Sequence, residues 1–147
     1  MRDALTLATT ANSAYSAGHS VGGKLLLRDF MNSGAITSVY IRDKDAQSVA
    51  YELWLFRKDP VAATITDKTT FAVSTDLANL AAPVIPIAGL YSGGTGGGVL
   101  GVASIYVPFY IQETKDVYMA LITRGTPTYT SGNAVQLVIT AEKLFYS

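Results

Sequence analysis

Two glycine-containing motifs are the candidates for cofactor chemistry in this sequence. From Gly96 to Gly101 the chain reads GGGVLG, which fits the G-x-G-x-x-G loop that holds a dinucleotide pyrophosphate at a helix N-terminus. The next residues, 102–108, are β-branched and aromatic and end in proline, so they predict a strand where that site needs a helix. We therefore expect no cofactor, and we interpret the stretch from Gly93 to Gly98 as a mobile, exposed hairpin tip.

The second motif runs from Gly18 to Lys24 and matches the start of a phosphate-binding P-loop, G-x-x-x-x-G-K. Leu25 occupies the position where a Ser or Thr hydroxyl would bind Mg²⁺. The residues after Lys24 also predict a strand, whereas a P-loop leads into a helix. The sequence therefore argues against nucleotide hydrolysis.

Other catalytic and metal sites lack the residues they need. His19 is the only histidine, there is no cysteine, and we interpret His19 as an exposed loop residue. Asp43 and Asp45 resemble the start of a calcium loop, but Gln47 and the missing glycine depart from that pattern. We interpret the two aspartates as a solvated hairpin turn. The sequence predicts no catalytic, cofactor-binding or metal-ligating residues, and a protein that is not an enzyme.

The charge composition bears on partners. Eleven basic and eleven acidic residues cancel, so no net field attracts nucleic acid. No apolar run reaches the ~18 residues that span a bilayer, so we expect no membrane partner either. Charged residues are only 15% of the chain, against roughly 25% in a typical domain. This low proportion favours a homo-oligomer or a protein docked on a larger partner.

The elements that would position any site are strands with a period of two. The strands are predicted at residues 24–31, 36–42, 51–58, 84–90, 101–112, 117–124 and 135–145, and Asn32, Ser33 and Gly34 predict a turn. This pattern is typical of an antiparallel sandwich or barrel, and we expect an all-β, antiparallel β-sandwich. At most one short helix is expected, capped by Asp76, ended by Pro83 and crossing between the sheets.

Two of the predicted strands, 51–58 and 117–124, are apolar on both faces. Trp54 and Phe56 lie opposite Leu53, and Tyr118 and Ile122 belong to the second face of the other strand. A sandwich hides only one face of each sheet in its core. Either loops cover the second faces or a subunit interface does, and the low charge content favours the interface.

The domain organisation is predicted to be simple. Residues 1–20 are too polar for a secretory signal, so we interpret them as an N-terminal arm that lacks core contacts and orders on a neighbour. Residues 21–147 form a single β-sandwich domain. We expect a chain without residues 1–17 to remain folded and to lose its partner.

Two blocks of the sequence resemble small virion proteins of tailed bacteriophages. The first comprises YELWLF at 51–56, Asp59-Pro60, TITD at 64–67, Phe71 and Ser74, and the second is ALITRGTPTY at 120–129. The resemblance spans most of residues 21–145. It implies a jelly-roll fold and a capsid decoration, or cement, protein located on the virion surface. It further implies a homotrimer whose partner is the major capsid protein.

An alternative function remains open within the same class of phage proteins. The chain could be a neck, tail or fibre component, with a carbohydrate-binding face built from some of its nine tyrosines. The turn at residues 124–129 could present Arg124 and Tyr129 to a sugar or a protein. An enzyme acting on host polysaccharides is a third hypothesis, although no acid–base pair stands out.

Overall fold

Strands account for nearly all of the regular structure. The computed structural model describes residues 2–28, 30, 33–92, 98–110 and 115–143. One 3₁₀ helix, Thr75–Asn79, lies among these residues. The strands are β1 Arg2–Thr6, β2 Leu25–Leu27, β3 Ser33–Asp43, β4 Tyr51–Phe56, β5 Ile85–Ile87, β6 Gly89–Ser92, β7 Val99–Tyr110, β8 Val117–Thr123 and β9 Val135–Lys143.

The pairing of these strands defines a jelly roll. β1 pairs with β9, β2 with β8, β3 with β7 and β4 with β5, all antiparallel. The chain is thus one long antiparallel ribbon, which wraps so that β3 also pairs with β9 and β4 with β8. A five-stranded sheet, β1-β9-β3-β7-β6, packs on a four-stranded sheet, β2-β8-β4-β5. The predicted all-β, antiparallel jelly-roll sandwich is confirmed.

The main core lies between the two sheets. On β4, Leu53 and Leu55 point inward and are at most 1% exposed, and Leu137 and Ile139 of β9 are equally buried. Alternation along each strand places every second side chain on this inner face. Burial of one large apolar side chain contributes roughly 1.5–3 kcal/mol, so this core is the main source of stability.

Residues 2–20 belong to the sandwich. β1 is an edge strand on β9, and Leu7 and Tyr15 are each 1% exposed. The Leu7 N–H donates to the Val135 carbonyl at 2.9 Å, and the Tyr15 N–H donates to the Pro127 carbonyl at 2.8 Å. The predicted arm without core contacts is therefore wrong for these residues. Composition concealed the contacts because the two buried side chains stand in an otherwise polar stretch.

A second, smaller apolar cluster covers the outer face of the four-stranded sheet. Its buried members are Phe56, Ala120 and Ile122. The segment 57–80 covers them, and its packed apolar side chains are Ile65, Phe71, Val73 and Leu80. Loop cover, and not the favoured subunit interface, therefore buries Phe56 and Ile122.

The helical segment differs from the predicted helix. It spans Thr75–Asn79, and the chain is already extended at Leu80. Asp76 lies inside it, is buried, and accepts a hydrogen bond from the Ala62 N–H at 3.0 Å, so it does not cap a helix over residues 77–82. The segment lies between β4 and β5, which are neighbours in one sheet. The predicted crossover between sheets is therefore wrong.

Several predicted strand boundaries also differ. Residues 84–90 were expected to be one strand, but β5 and β6 divide at Ala88 and belong to different sheets. Ser33 and Gly34 were expected in a turn, but they begin β3. Asn32 of the same expected turn lies outside the described residues. Local periodicity does not show where a chain changes sheet, because the change depends on pairing with distant strands.

Candidate functional site

The glycine-rich stretch stands between two paired strands. β6 and β7 are antiparallel neighbours on either side of residues 93–98, and β7 runs on through Gly101, which confirms the predicted strand at this point. An ideal Cβ at Gly98 would lie 2.3 Å from the Asp43 carbonyl oxygen, so close backbone approach requires glycine here. The predicted mobile tip, from Gly93 to Gly98, lies outside the described residues except for Gly98.

The P-loop-like segment is a turn bound to a neighbouring loop. Gly18 and Gly22 have φ angles of +91° and +75°, which suit glycine. The Gly22 N–H donates to Asp67 Oδ1 at 2.8 Å, so this amide is already bound to a carboxylate. β2 begins directly after Lys24, at Leu25, and ends at Leu27, so the predicted strand at 24–31 is confirmed only in its first part.

His19 is half-buried, which corrects its interpretation as an exposed loop residue. Its Nδ1 accepts a hydrogen bond from the Ser16 N–H at 3.1 Å. Its ring meets the Tyr15 ring edge to face, with the centroids 6.3 Å apart. The Thr123 N–H donates to the His19 carbonyl at 3.0 Å. These contacts hold the turn against β8 and give His19 a structural role.

The Asp43 carboxylate is buried, which corrects the predicted solvated turn. It is 3% exposed and accepts hydrogen bonds from the N–H groups of Asp45 and Gln47 at 2.8 and 2.9 Å. Burial raises the pKa of Asp43 despite these bonds. Asp45 instead accepts from the Thr130 N–H at 2.9 Å. Within the described residues, no group of three or more His, Asp and Glu side chains is placed to hold a metal ion.

Three tyrosines lie together in the core. The hydroxyls of Tyr51 and Tyr129 share a 2.7 Å hydrogen bond, and the Tyr15 ring packs edge to face on Tyr129 with centroids 5.3 Å apart. The Tyr15 hydroxyl donates to Asp67 Oδ1 at 2.7 Å. Burial raises the pKa of all three tyrosines, that of Tyr15 to about 12. The possible binding surface with both Arg124 and Tyr129 does not form, because Tyr129 is 0% exposed.

The outer face of the five-stranded sheet carries exposed tyrosines and arginines. On β7, Ile105 and Val107 pack against the core, so Tyr106 and Tyr110 point outward and are 59% and 57% exposed. Tyr91 on β6 is 64% exposed. Strand register places Arg2, Tyr40 and Arg42 on the same surface. We call this surface the tyrosine face, and its members are Arg2, Tyr40, Arg42, Tyr91, Tyr106 and Tyr110.

Two arginines flank Tyr40 on the tyrosine face. The guanidinium carbons of Arg2 and Arg42 lie 5.6 and 5.4 Å from the Tyr40 ring centroid, and Arg2 also donates to the Tyr40 hydroxyl. Arg42 donates to Gln136 Oε1 at 2.7 Å, beside a hollow of about 310 Å³ that Lys44 also lines. Exposed cation–π contacts contribute about 0.5–1 kcal/mol each. They orient the two guanidiniums while leaving positive charge at the surface.

On the outer side of the other sheet, an open groove lies beside Trp54. The groove has a volume of about 410 Å³, and Phe71, Val73 and Arg124 also line it. The Trp54 and Phe71 rings meet edge to face at 61°, with centroids 5.0 Å apart. We call this feature the Trp54 groove. Sequence patterning placed Trp54 on the second face of its strand but did not identify the groove, because Phe71 arrives from the covering segment 57–80.

A bidentate ion pair borders the Trp54 groove. Arg124 Nε donates to Glu52 Oε1 at 2.7 Å, and Arg124 Nη2 donates to Oε2. The Trp54 Nε1–H donates to the same carboxylate at 3.3 Å. The guanidinium holds the pKa of Glu52 below its usual range, and the carboxylate raises the pKa of Arg124. Both groups are therefore charged at neutral pH, and their charges cancel at this edge of the groove.

The tyrosine face and the Trp54 groove are two surfaces with recognition chemistry in the described part of the chain. No helix there is long and apolar enough to cross a membrane. Comparison of the chain with protein-family models, curated proteins and solved structures finds no match, so its function is inferred from these two surfaces.

Proposed function

We propose that this chain is a structural virion protein that decorates and stabilises a phage capsid by binding the outer surface of the major capsid protein shell. The observation that carries the proposal is the tyrosine face, on which Tyr91, Tyr106 and Tyr110 are each more than half exposed. A decoration protein needs surface area and shape complementarity, and it needs no reacting group. Tyrosine and arginine are enriched at the energetic centres of protein interfaces.

The two sheets differ in how their outer faces are covered, which supports docking through the tyrosine face. On the four-stranded sheet the chain's own segment 57–80 buries Phe56 and Ile122. On the five-stranded sheet Tyr106 and Tyr110 stay in contact with water. Large aromatic side chains left in water forgo burial energy, which a docked partner would supply.

The end of the tyrosine face around Tyr40 favours an acidic docking surface on the capsid. Arg2 and Arg42 are exposed, and both lie against Tyr40. The whole chain has no net charge, so the attraction is local to this face. Such contacts orient the protein and depend on ionic strength.

We also propose a homotrimer on the capsid surface, as the phage resemblance implies. Charged residues make up only 15% of the chain, which favours the covering of surface by further copies. Ile122 does not support the trimer, because segment 57–80 already covers it. Sedimentation equilibrium of the purified chain tests the trimer; a monomer at all concentrations would contradict it and leave capsid docking to be tested separately.

Binding to expanded, empty capsids of the phage that encodes the chain tests the docking surface. The double variant Tyr106→Ala/Tyr110→Ala should bind at least about tenfold more weakly, because central tyrosines often contribute more than 1 kcal/mol each. Leu77→Ala is the control, because this residue is 50% exposed but lies in the 3₁₀ helix away from the tyrosine face. Equal binding by the double variant and the control would contradict the proposed docking face.

One observation, the Trp54 groove, favours the alternative function. In that alternative the chain is a neck, tail or fibre component with a carbohydrate-binding face. The copy number of the chain in purified virions separates the two functions. A ratio near that of the major capsid protein supports capsid decoration. A small number of copies per particle supports the alternative, and absence from particles contradicts both.

A further inference from the structure

We propose that the Trp54 groove binds a neutral mono- or disaccharide unit. Its volume of about 410 Å³ lies in the ~300–1,000 Å³ range of small-ligand sites. Its lining combines aromatic and aliphatic side chains with a small number of polar groups, as such sites do. This ligand class goes beyond the proposed capsid docking, which uses the other sheet.

Trp54 and Phe71 supply apolar surface for the C–H groups of a sugar ring. Both side chains are half-buried, and their rings meet at 61° to form an aromatic corner. The negative faces of such rings attract the weakly positive C–H groups of a pyranose. The Trp54 Nε1–H is bound to Glu52, and the Phe71 N–H donates to the Gly18 carbonyl at 2.9 Å. The corner is therefore held in place before a ligand arrives, which lowers the entropic cost of binding.

The ion pair at the border of the groove favours an uncharged ligand. Glu52 and Arg124 neutralise each other through two parallel hydrogen bonds. An anionic ligand would compete with Glu52 for the guanidinium, and a cationic ligand would compete with Arg124 for the carboxylate. A neutral polyol needs to displace neither partner.

Hydrogen-bonding groups suited to sugar hydroxyls remain beside the ion pair. The pairing uses one N–H of Arg124 Nε and one of Nη2, and a guanidinium carries five N–H donors. Thr70 is exposed, lines the groove and adds a hydroxyl that both donates and accepts. Aromatic stacking and a few fixed polar contacts together give the directional recognition that a sugar requires.

The groove and the tyrosine face lie on the outer faces of different sheets, so both can be occupied at once. On a decorated capsid, docking through the tyrosine face would turn the groove towards the surroundings. That orientation rests on the proposed function, whereas saccharide binding by the isolated chain does not. A failure of one proposal is therefore distinguishable from a failure of the other.

Trp54 is the only tryptophan in the chain, so its fluorescence reports on the groove directly. The full chain is titrated with a panel of neutral sugars: glucose, galactose, mannose, N-acetylglucosamine, and the disaccharides of each. At least one should give a saturable change in Trp54 emission. Phe71→Ala should weaken that binding at least about tenfold, which corresponds to 1.4 kcal/mol. Val61→Ala is the control, because it lies in the same covering segment, is 80% exposed and should bind as the unmodified chain does.

Phe71 also packs on the cluster around Ile122, so a second variant keeps the test independent of folding. Arg124 lies at the exposed edge, and Arg124→Gln removes guanidinium donors and the ion-pair partner of Glu52. This variant should also weaken sugar binding while circular dichroism stays unchanged. A lack of saturable response to every sugar in the panel would overturn the proposal. Sugar affinity in both variants equal to that of the unmodified chain would overturn it as well.

Discussion

The hydroxyl groups of Tyr51 and Tyr129 lie 2.7 Å apart in the core, although 78 residues separate them in the chain. Their hydrogen bond joins β4 to the loop between β8 and β9. Tyr15 packs on the Tyr129 ring and donates to Asp67, so the N-terminal segment and a second loop share the same network. Buried polar groups that satisfy one another specify a single arrangement of the segments that carry them.

A pH above about 10 should destabilise the fold. Burial raises the pKa of Tyr15 from 10.0 to about 12 and also raises those of Tyr51 and Tyr129. The unfolded chain then loses these protons near pH 10 while the folded chain keeps them. The free energy of unfolding should therefore fall by about 1.4 kcal/mol per pH unit for each tyrosine, until the pH passes the folded pKa. Urea unfolding followed by Trp54 fluorescence measures this slope.

A phenylalanine variant isolates the contribution of one tyrosine to that slope. Tyr15→Phe removes one of the three titrating groups, so the loss of stability per pH unit should shrink by about a third. Tyr91→Phe is the matched control, because its side chain meets water in the folded and the unfolded chain. An identical slope in the two variants would show that Tyr15 does not contribute to the alkaline instability.

Leu7→Ala should destabilise the protein by about 2–5 kcal/mol, because it leaves a cavity in the core. Leu7 is 1% exposed, whereas Leu77 is 50% exposed, so Leu77→Ala is a matched control that should change stability by less than about 0.5 kcal/mol. Thermal unfolding measures both.

Deletion of residues 1–17 should unfold the domain, contrary to the sequence-based expectation. Equal stabilities for the two leucine variants would contradict a structural role for the N-terminal segment.

Asp67→Ala should loosen the N-terminal segment. Asp67 accepts hydrogen bonds from the Tyr15 hydroxyl and, at 2.8 Å each, from Thr10 Oγ1 and the Gly22 N–H. Donors left without a partner cost about 1–3 kcal/mol, so amide hydrogen exchange should accelerate in residues 7–22. Asp59→Ala, which breaks only the surface ion pair with Lys24, should cost no more than about 1 kcal/mol and leave that exchange unchanged. Similar exchange in both variants would argue against the network.

Gly125→Ala should destabilise the protein by about 1–3 kcal/mol through a steric clash. A Cβ at this position would lie 2.5 Å from Val49 Cγ1. Gly132→Ala is the control, because its Cβ would be 3.4 Å from the Thr9 carbonyl oxygen. In a double-mutant cycle, Val49→Ala should make Gly125→Ala less costly, and strictly additive effects would refute the clash.

Local patterning predicted the strand interiors well and the edges poorly. Tyr118 and Ile122 were expected on the second face of their strand, and the alternate residues Val117, Met119 and Leu121 are all 0% exposed on the core side of β8. β1 was missed because Arg2–Thr6 is a half-exposed edge strand without a large apolar side chain facing the core at every second position. The pattern also did not predict the strand order, since each pairing joins segments that are distant in the chain.

Local patterning likewise predicted only part of the candidate site. Trp54 was recognisable as an aromatic residue on the second face of its strand, and Arg124 as part of a turn. Their meeting with Phe71 and Glu52 depends on how segment 57–80 folds over the sheet, which no local spacing encodes. Tyr129 was a candidate surface residue because its neighbours are turn residues, yet the loop directs it into the core.

The amino-acid sequence by itself determined the all-β class, the alternation of the strands and the strand that follows Gly101, because these depend on neighbouring residues along one segment. Only the tertiary structure decided that Leu7 and Tyr15 enter the core, that one outer sheet face is covered and that the tyrosine face is not. Those outcomes depend on contacts between distant segments. A side chain of given hydrophobicity is buried or exposed according to what the rest of the chain places over it.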